Sequence, residues 1–515
     1  MSRPPSPARS MTGGRNPWAI AVVVSIATFM EVLDTAIANV SLRHIAGAMA
    51  AGYDESTWIL TSYLISNAII LPISGWLATT IGRKRFYMIC VALFTASSLL
   101  CALAPSLMLL ITFRVLQGLG GGGLAPSEQA ILADIFPPEK HGPAFALYGI
   151  TVVVAPALGP TLGGWITDTY SWRWIFLINV PVGALSLGLT GLLLHDPQGA
   201  ARRRPRVDVL GFGLVTLGLG CLEVVLDKGQ REDWFASNFI VWFSVIAAVA
   251  LLALVIRELT HPDPVVDLPL LRDRSFAVCN VVMFATGFLL YSTTQFLPQL
   301  LQTSLGYTAL DAGLVLTPGG LATMAMMPVA GTLTRRVPPG LLMAAGMAVE
   351  AAALWHMSGF DPQISYAHAA WARVYQGLGL PLLFVPITST AYAGLPPGKS
   401  NNASALINLA RNVGGSAGIS LSQTVLAQRA QFHQARLVGR LTPLEPAYRH
   451  ALAAFAQQLG GGPQGRARAL AHLGSVLHRQ AEMLAYIDIF RLLMLAAVVI
   501  APLALLLRRR AGPPP

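Results

Sequence analysis

The sequence predicts an all-α, polytopic membrane protein with fourteen transmembrane helices. Of its 515 residues, 54% are hydrophobic and 11% are charged, whereas soluble domains carry about 25% charged residues. The apolar residues form continuous stretches, whereas the strands of a membrane barrel alternate polar and apolar positions. A bilayer core about 30 Å thick needs about 20 apolar residues in helical form. The predicted spans are 18–41, 58–81, 86–104, 107–126, 145–165, 175–194, 209–226, 239–256, 276–297, 310–333, 341–357, 369–393, 403–427 and 487–507.

An internal repeat is the second reason for this fold class. RVLQGLG begins at Arg114 and RVYQGLG at Arg373, and FPPEK begins at Phe136 and LPPGK at Leu395; both offsets are 259 residues. A third pair, PISG and PVAG, is offset by 256 residues. Repeats of this kind are typical of transporters built from two related halves. We therefore predict two six-helix bundles with two inserted helices between them.

These patterns divide the chain into five parts. The bundles and their connections are predicted as an N-terminal tail at 1–17, a six-helix bundle at 18–195, two inserted helices with basic linkers at 196–274, a second six-helix bundle at 275–507 with a long outer loop at 429–486, and a C-terminal tail at 508–515. The composition of the long outer loop, rich in Gln, Ala, Leu and Arg, permits helix.

The Lys and Arg residues predict the orientation, because short cytoplasmic loops are enriched in them. With the N-terminus inside, twenty basic residues fall in inner segments: Arg3, Arg9, Arg15, Arg83, Lys84, Arg85, Lys140, Arg202, Arg203, Arg204, Arg206, Arg257, Arg272, Arg274, Arg335, Arg336, Lys399, Arg508, Arg509 and Arg510. Four fall in short outer loops: Arg43, Arg173, Lys228 and Arg231. An even number of spans then places both termini in the cytoplasm.

Several function classes are disfavoured. The net charge of +11 is explained by loop charge, and no basic and aromatic groove indicates nucleic acid. Gly118, Gly120 and Gly123 match GxGxxG but lie inside an apolar helix, and GLPPGKS at 394–400 is one residue short of a phosphate-binding loop. No metal or cofactor is expected. Ion coupling remains as the source of energy.

Three ionisable residues within the spans are the strongest functional candidates, because buried charge in a membrane is costly. Asp34 lies seven residues before the end of the first span, and Arg114 lies seven residues after the start of the fourth. At 1.5 Å per residue both lie roughly 10 Å below the outer boundary, so the two charges can share a cavity. Glu31 lies one turn from Asp34. Glu223 and Glu350 are interpreted as interfacial or structural.

Two glycine-rich motifs predict close packing and gating. GPTLGG places Pro160 within a span and surrounds it with the small residues Gly159, Gly163 and Gly164. Proline removes a helical hydrogen bond, and small residues let a second helix approach closely. In GWLATTIGRKR, we expect Gly75 to permit close packing, Gly82 a tight turn, and Arg83 to stay at the inner leaflet.

Together these segments resemble the major facilitator superfamily, and specifically its fourteen-span drug:proton antiporter branch (the EmrB/QacA type). The resemblance covers about residues 18–507 and rests on LDTAIANV at 33–40, GWLATTIGRKR at 75–85, RVLQGLGGG at 114–122, GPTLGG at 159–164, WRWIFLINVPVG at 172–183 and LDKGQREDWF at 226–235. The family usually has an acidic residue near Thr79. Its absence here argues against a charge-linked inner gate built on this loop.

The resemblance implies a major facilitator fold and a proton-coupled exporter of hydrophobic or amphipathic small molecules, active in multidrug efflux at the cell inner membrane. It associates Asp34 and Arg114 with proton and substrate handling and GPTLGG with a hinge. Glu31, which lies one turn from Asp34, is the further candidate for proton coupling. We expect the substrate cavity to be lined by Gln117, Tyr291, Gln295, Arg373 and Gln376. The expected partners are protons, small hydrophobic substrates and membrane lipid.

In bacteria with two membranes, such exporters can also work with a periplasmic adaptor and an outer-membrane channel. A dedicated exporter of one metabolite, such as a fatty acid, siderophore or antibiotic, is the alternative function. A receptor or scaffold without transport is disfavoured by the buried charges, and the absence of HExxH and GxSxG motifs disfavours an enzyme.

Reporter fusions test the predicted orientation. Fusions at Arg206 and Arg510 should report the cytoplasm, because both lie in basic inner segments, and a fusion at Gly461 should report the opposite side. A cytoplasmic signal at Gly461 would contradict the fourteen-span arrangement.

Overall fold

The computed structural model describes residues 15–195, 208–261, 264–396, 398–439, 441–442 and 444–507. The segments 1–14, 202–206 and 508–510, which carry part of the basic charge used for the orientation, lie outside the described residues, as do most of the predicted terminal tails. The side chain of Arg43 is also outside them.

Every regular element among the described residues is helical. The long helices are α1 Pro17–Ala48, α2 Trp58–Ile81, α3 Arg83–Leu103, α4 Leu107–Ile135, α5 His141–Thr169, α6 Asn179–Leu193, α7 Val209–Lys228, α8 Asn238–Thr260, α9 Arg274–Ser304, α10 Ala309–Leu333, α11 Pro339–Met357, α12 Tyr366–Tyr392, α13 Ser400–Val438, α14 Pro446–Gln458 and α15 Gly462–Ala504. Short helical turns lie at Tyr53–Ser56, Pro138–Lys140, Trp174–Leu177, Trp234–Ala236 and Leu268–Arg272.

The helices pack as two six-helix units, α1–α6 and α9–α13 with α15, joined by the inserted pair α7 and α8. Within the first unit α1 packs on α5, and α4 on α2 and α3; within the second, α9 packs on α13, and α11 on α12 and α15. The units meet through α5 against α10 and α2 against α13. The predicted two-bundle architecture is confirmed.

The sequence repeat is also a repeat of local structure. Helix α4 is interrupted between Leu107–Gly121 and Leu124–Ile135, and α12 between Tyr366–Gly379 and Pro381–Tyr392. Both interruptions follow the repeated QGLG segment, where consecutive glycines, or glycine and a proline close behind it, weaken the helix.

Thirteen helices among the described residues are long and apolar enough to cross a membrane. Helix α13, which contains the predicted span 403–427, is not one of them, because its buried face carries Asn401, Ser404, Asn408 and Arg411. It nevertheless packs inside the bundle against α2, α9 and α15. The structure is consistent with fourteen spans, and the exact count remains a prediction.

Residues 429–486, expected to form a long helix-permissive loop, are helical over most of their length. Helices α13 and α15 have 39 and 43 residues and are therefore about 58 and 64 Å long, roughly twice the thickness of a bilayer core. Asp488 anchors the base of this projection by accepting hydrogen bonds from Arg429 Nε at 2.5 Å and His433 Nε2 at 2.8 Å.

The inserted pair is fastened at one end by Asp208. Its carboxylate accepts a hydrogen bond from Gly211 N at 2.8 Å, which caps α7, and from Arg257 Nη2 of α8 at 2.6 Å. The hydrogen bonds from Arg257 hold the pKa of Asp208 below its ordinary value. Helix α7 packs in turn on α2 and α13, so the inserted pair covers the seam between the two units.

Helix α5 lies close to both α1 and α10 because of its small residues. A side chain at Gly159 would overlap Ala36 of α1, and one at Gly163 would lie 3.2 Å from Ile37. A Cβ atom at Gly164 would lie 3.7 Å from the backbone nitrogen of Leu310 on α10. Pro160 lies inside α5, which remains helical through it. The packing fits the predicted close approach, while the hinge role remains a prediction.

We therefore predict that Gly159→Leu reaches the membrane but is less stable than the wild type and loses transport. Overpacking of this kind costs about 1–3 kcal/mol of unfolding free energy, because α1 and α5 must separate. Gly188→Leu is the matched control, since nothing lies within 4 Å of a side chain there. Thermal melting in detergent and transport are measured on both. Equal stability and transport in the two variants would contradict a close-packed contact at Gly159.

Candidate functional site

A cavity of about 220 Å³ lies between the two six-helix units. Four predicted site residues line it: Glu31, Arg114, Tyr291 and Gln295. Glu223 of the inserted helix α7 lines it as well. Side chains from both units and from the inserted pair therefore meet in one polar and apolar pocket.

Asp34 and Arg114 form a fully buried ion pair beside this cavity. Arg114 Nη1 donates to Asp34 Oδ2 at 2.6 Å, and the two side chains are 0% and 1% exposed. The other carboxylate oxygen, Asp34 Oδ1, accepts from Asn179 Nδ2 at 2.7 Å and Gln117 Nε2 at 3.1 Å. Asp34 and Arg114, which the sequence predicted to lie at one depth, are therefore in direct contact. Asp34 lies behind Arg114 and does not line the cavity.

Arg114 has several further partners besides Asp34. Its Nε donates to the carbonyl of Ile59 at 3.1 Å, its Nη1 also donates to Gln117 Oε1 at 2.7 Å, and its guanidinium lies 4.2 Å from the ring centroid of Tyr63. Its Nη2 has no hydrogen-bond partner in the described part of the chain. Removal of one partner of such a buried pair costs about 3–5 kcal/mol, so any event that neutralises Asp34 leaves Arg114 uncompensated.

Glu31 has a different environment although it is only one turn from Asp34. Its Oε1 accepts from Tyr63 Oη at 2.8 Å and from Asn67 Nδ2 at 3.1 Å. Tyr63 therefore joins the two carboxylates, because its ring contacts Arg114 and its hydroxyl contacts Glu31. Of the two acidic residues, Glu31 is the one that a cavity occupant can reach.

Three residues expected in the cavity wall lie elsewhere: Gln117, Arg373 and Gln376. Gln117 bonds Asp34 and Ser98, as Gln117 Nε2 lies 2.7 Å from Ser98 Oγ. Gln376 Nε2 donates to Thr293 at 2.9 Å and also bonds Arg373. Buried amide and guanidinium groups need such partners, and inside each bundle these partners lie on neighbouring helices and not in the cavity.

One end of the molecule carries Arg83–Arg85, in the first turn of α3, and Arg335–Arg336, and we call it the basic face. Here Arg83 pairs with Asp134 of α4, and Ser400 Oγ of α13 donates to Asp134 Oδ1 at 2.9 Å. Although Thr79 is not acidic, Asp134 supplies a carboxylate to Arg83, so this segment does make a charge-linked contact. Gly82 has a φ of 101°, which glycine adopts readily.

A second layer of contacts separates the cavity from the basic face. Tyr148 Oη of α5 donates to Asn408 Oδ1 of α13 at 2.8 Å, and Asn408 Nδ2 donates to Gln129 Oε1 of α4 at 2.7 Å. Arg411 Nη1 reaches Tyr148 Oη at 2.5 Å. These bonds join the two units, so the cavity is closed on this side. Toward the opposite face its lining includes the exposed Asn39, whose Nδ2 donates to Gln295 Oε1 of α9 at 2.8 Å.

Sequence reasoning missed several of these residues. Asp134, Tyr148 and Asn408 carried no motif that marked them, whereas Glu223 was noticed and interpreted as interfacial. Its side chain is instead buried and accepts from Ser416 Oγ of α13 at 2.5 Å. The signal that could have identified it was a lone carboxylate within an apolar span.

Two helical units around a central cavity, with a buried ion pair beside it and a seal at one face, define a multi-pass membrane transporter and not an enzyme. The family model of the Major Facilitator Superfamily matches residues 24–419. The chain is 39% identical to the multidrug export protein EmrB of Haemophilus influenzae over 83% of this chain and 84% of that protein. The chain therefore belongs to the major facilitator superfamily, in the group of EmrB-type proteins.

Two further similarities agree with this assignment. The chain is 36% identical to the fatty acid resistance protein FarB of Neisseria gonorrhoeae over 85% of this chain and 86% of that protein. The crystal structure of the human organic anion transporter MFSD10 (TETRAN) superposes with a TM-score of 0.57, at 12% identity, over 93% of this chain and 99% of the other. At that identity the likeness concerns the fold alone.

Proposed function

We propose that this protein is a proton-coupled antiporter that exports hydrophobic or amphipathic small molecules, as in multidrug efflux. The observation that carries the proposal is the Asp34–Arg114 pair, buried directly behind a cavity that is closed at the basic face. A transporter of this kind needs a group whose charge changes with the state of the cycle. Similarity to EmrB and FarB supports export of apolar molecules.

In the proposed mechanism, the proton binds Asp34 and breaks the ion pair that positions Arg114. With Asp34 ionised, the guanidinium is held by the carboxylate and by Ile59 O on α2. A proton on Asp34 removes the opposite charge, and Arg114 must then find another acceptor or solvent. Glu31 is the nearest cavity carboxylate joined to it through Tyr63. Protonation thus rearranges groups that also line the substrate cavity.

The basic face is proposed to be cytoplasmic, in the inner membrane, with both termini on that side. Two observations support this orientation. Trp18, near the start of α1, lies 4.7 Å from Phe136 at the end of α4, measured between ring centroids. Ala504, at the end of α15, lies against Gly340, just after Arg335 and Arg336. Both ends of the described chain therefore lie at the face with the basic loops, as the positive-inside rule requires.

With this orientation, the layer of Tyr148, Asn408 and Gln129 closes the cavity on the cytoplasmic side, and the hydrogen bond between Asn39 and Gln295 joins the two units on its outer side. Helices α13 and α15 then project on the outer side. The projection, anchored at Asp488, is a surface to which a periplasmic adaptor could bind, and an outer-membrane channel would complete the route. In the predicted division of the chain into five parts, both terminal tails are then cytoplasmic and the loop 429–486 lies on the outer side.

A dedicated exporter of one apolar acid is the second candidate, and the similarity to FarB favours it. Arg411 lines the cavity and no ion-pair partner for it exists among the described residues, so it could bind a carboxylate. Glu223 and Glu31 would instead favour a cation. Transport of ethidium and oleate by inverted vesicles decides between the candidates: a multidrug exporter moves both, and the dedicated exporter moves only the acid.

Asp34→Asn tests the coupling mechanism. The amide imitates the neutral acid in shape and cannot lose a proton, so proton-driven uptake into inverted vesicles should fall at least tenfold while substrate binding persists. Asp168→Asn is the control, because that side chain is 62% exposed. Collapse of the proton gradient should abolish uptake by the wild type. Uphill uptake at the wild-type rate by Asp34→Asn would exclude Asp34 as the coupling site and leave Glu31 as the next candidate.

A further inference from the structure

The second six-helix unit repeats the hydrogen-bonded group of Asp34, Arg114 and Gln117, with a residue of another type in place of the aspartate. The repeat offset of 259 residues that relates Arg114 to Arg373 also relates Gln117 to Gln376. Applied to Asp34, it gives position 293, which is a threonine. The first helix of the second unit therefore lacks the carboxylate that neutralises the arginine in the first unit.

The remaining contacts are preserved. Arg373 Nη1 donates to Thr293 Oγ1 at 3.2 Å and to Gln376 Oε1, as Arg114 does to Asp34 and Gln117. Gln376 Nε2 then bonds Thr293 Oγ1 at 2.9 Å. Its second acceptor is Glu350 Oε2 of α11, at 3.0 Å. In the first unit the equivalent acceptor is Ser98 Oγ of α3.

The carboxylate has thus moved from the first helix of the unit to the third, where it is completely buried. Glu350 is 0% exposed and its Oε1 has no hydrogen-bond partner in the described part of the chain. Arg373 is also buried, its Nε is unpartnered, and no carboxylate lies within ion-pair distance of it among those residues. The two opposite charges that could compensate each other are held apart by Gln376.

The surroundings of Glu350 offer no other charge. Arg373 on α12 is the one ionisable group in the described chain that has an electrostatic interaction with it. The adjoining part of α12 contributes apolar side chains, such as Leu383 against Gly346. An ionised carboxylate without a cation in such a site is strongly disfavoured, and the neutral acid is the form that can be buried there.

We propose that Glu350 is a second proton-binding carboxyl group of the transport cycle. It holds its proton in the conformation described here. When the helices rearrange and Arg373 moves from Gln376 onto Glu350, the proton on the carboxyl oxygen passes to water and an ion pair like Asp34–Arg114 forms. Thr294 lines the cavity and lies 3.4 Å from Arg373 Nη2, so a cavity occupant can influence this movement. The inference rests on the proposed proton-coupled function and implies two protons per substrate.

Infrared spectroscopy of the purified protein at neutral pH tests the bound proton without any substrate. The wild type should show a carboxylic-acid carbonyl band that Glu350→Gln lacks, while the exposed-site control Glu232→Gln retains it. Unchanged carboxylic-acid bands in Glu350→Gln would overturn the proposal. Because glutamine imitates the neutral acid, this variant should fold; if it fails to reach the membrane while Glu350→Asp does, a charged structural carboxylate is indicated and the proposal is also overturned.

The proton count tests the exchange. Proteoliposomes with the membrane potential clamped at zero are given a pH gradient, and limiting accumulation of ethidium, or of oleate if only that moves, is measured. Two coupled protons support about 100-fold accumulation per pH unit and one proton about tenfold. We expect the first value for the wild type and the second for Glu350→Gln. Equal values overturn the proposal, whereas a wild type without pH-driven accumulation contradicts the proposed function itself.

Discussion

The structure depends on how charge is held at the depth of a membrane. Arg114 is completely buried, and it is compensated by Asp34 on another helix and by the carbonyl of Ile59 on a third. Because an unpaired charge at this depth is so costly, the position of Arg114 is tied to the protonation of Asp34. The relative positions of α1, α2 and α4 therefore depend on one proton, and these helices form a wall of the cavity.

The remaining features explain how such a local change can reach the whole molecule. Small residues let α5 pack directly against α1 and α10. Movement of α1 therefore displaces α5, which displaces α10 of the second unit. At the basic face, Asp134 joins Arg83 to Ser400 on α13, and the layer of Tyr148, Asn408 and Gln129 lies above it. Closely packed helices change between discrete arrangements and do not deform gradually, which suits a two-state transporter.

The sequence predicted the parts of this picture that follow from length, depth and repetition. Asp34 and Arg114 could be paired because two antiparallel helices place both at one depth, and the repeated RVLQGLG and RVYQGLG segments identified the two related halves. It could not predict which side of a helix faces which neighbour. Gln117 and Gln376 were therefore expected in the cavity but bond within each unit.

Because a single sequence does not show which helices contact each other, the roles of Glu223, Asp134 and Tyr148 were missed. Glu223 was interpreted as interfacial because the packing of an inserted helix on α2 and α13 has no signature in a single sequence. Asp134 reaches Arg83 across 51 residues, and Tyr148 reaches Asn408 across 260. Such pairings depend on the tertiary arrangement. Helix α13 forms inside the bundle despite its polar face, because residues of both units hydrogen-bond the polar side chains on that face.

The central claim, that a proton on Asp34 controls the closure of the basic face, is tested by distances between spin labels. Labels at the exposed residues Arg85 and Arg336 report the separation of the two units at this face, and the four native cysteines are buried. In the wild type the distance should lengthen as the pH falls, because protonation frees Arg114. In Asp34→Asn it should be long at every pH. A pH dependence in Asp34→Asn equal to that of the wild type would contradict the account.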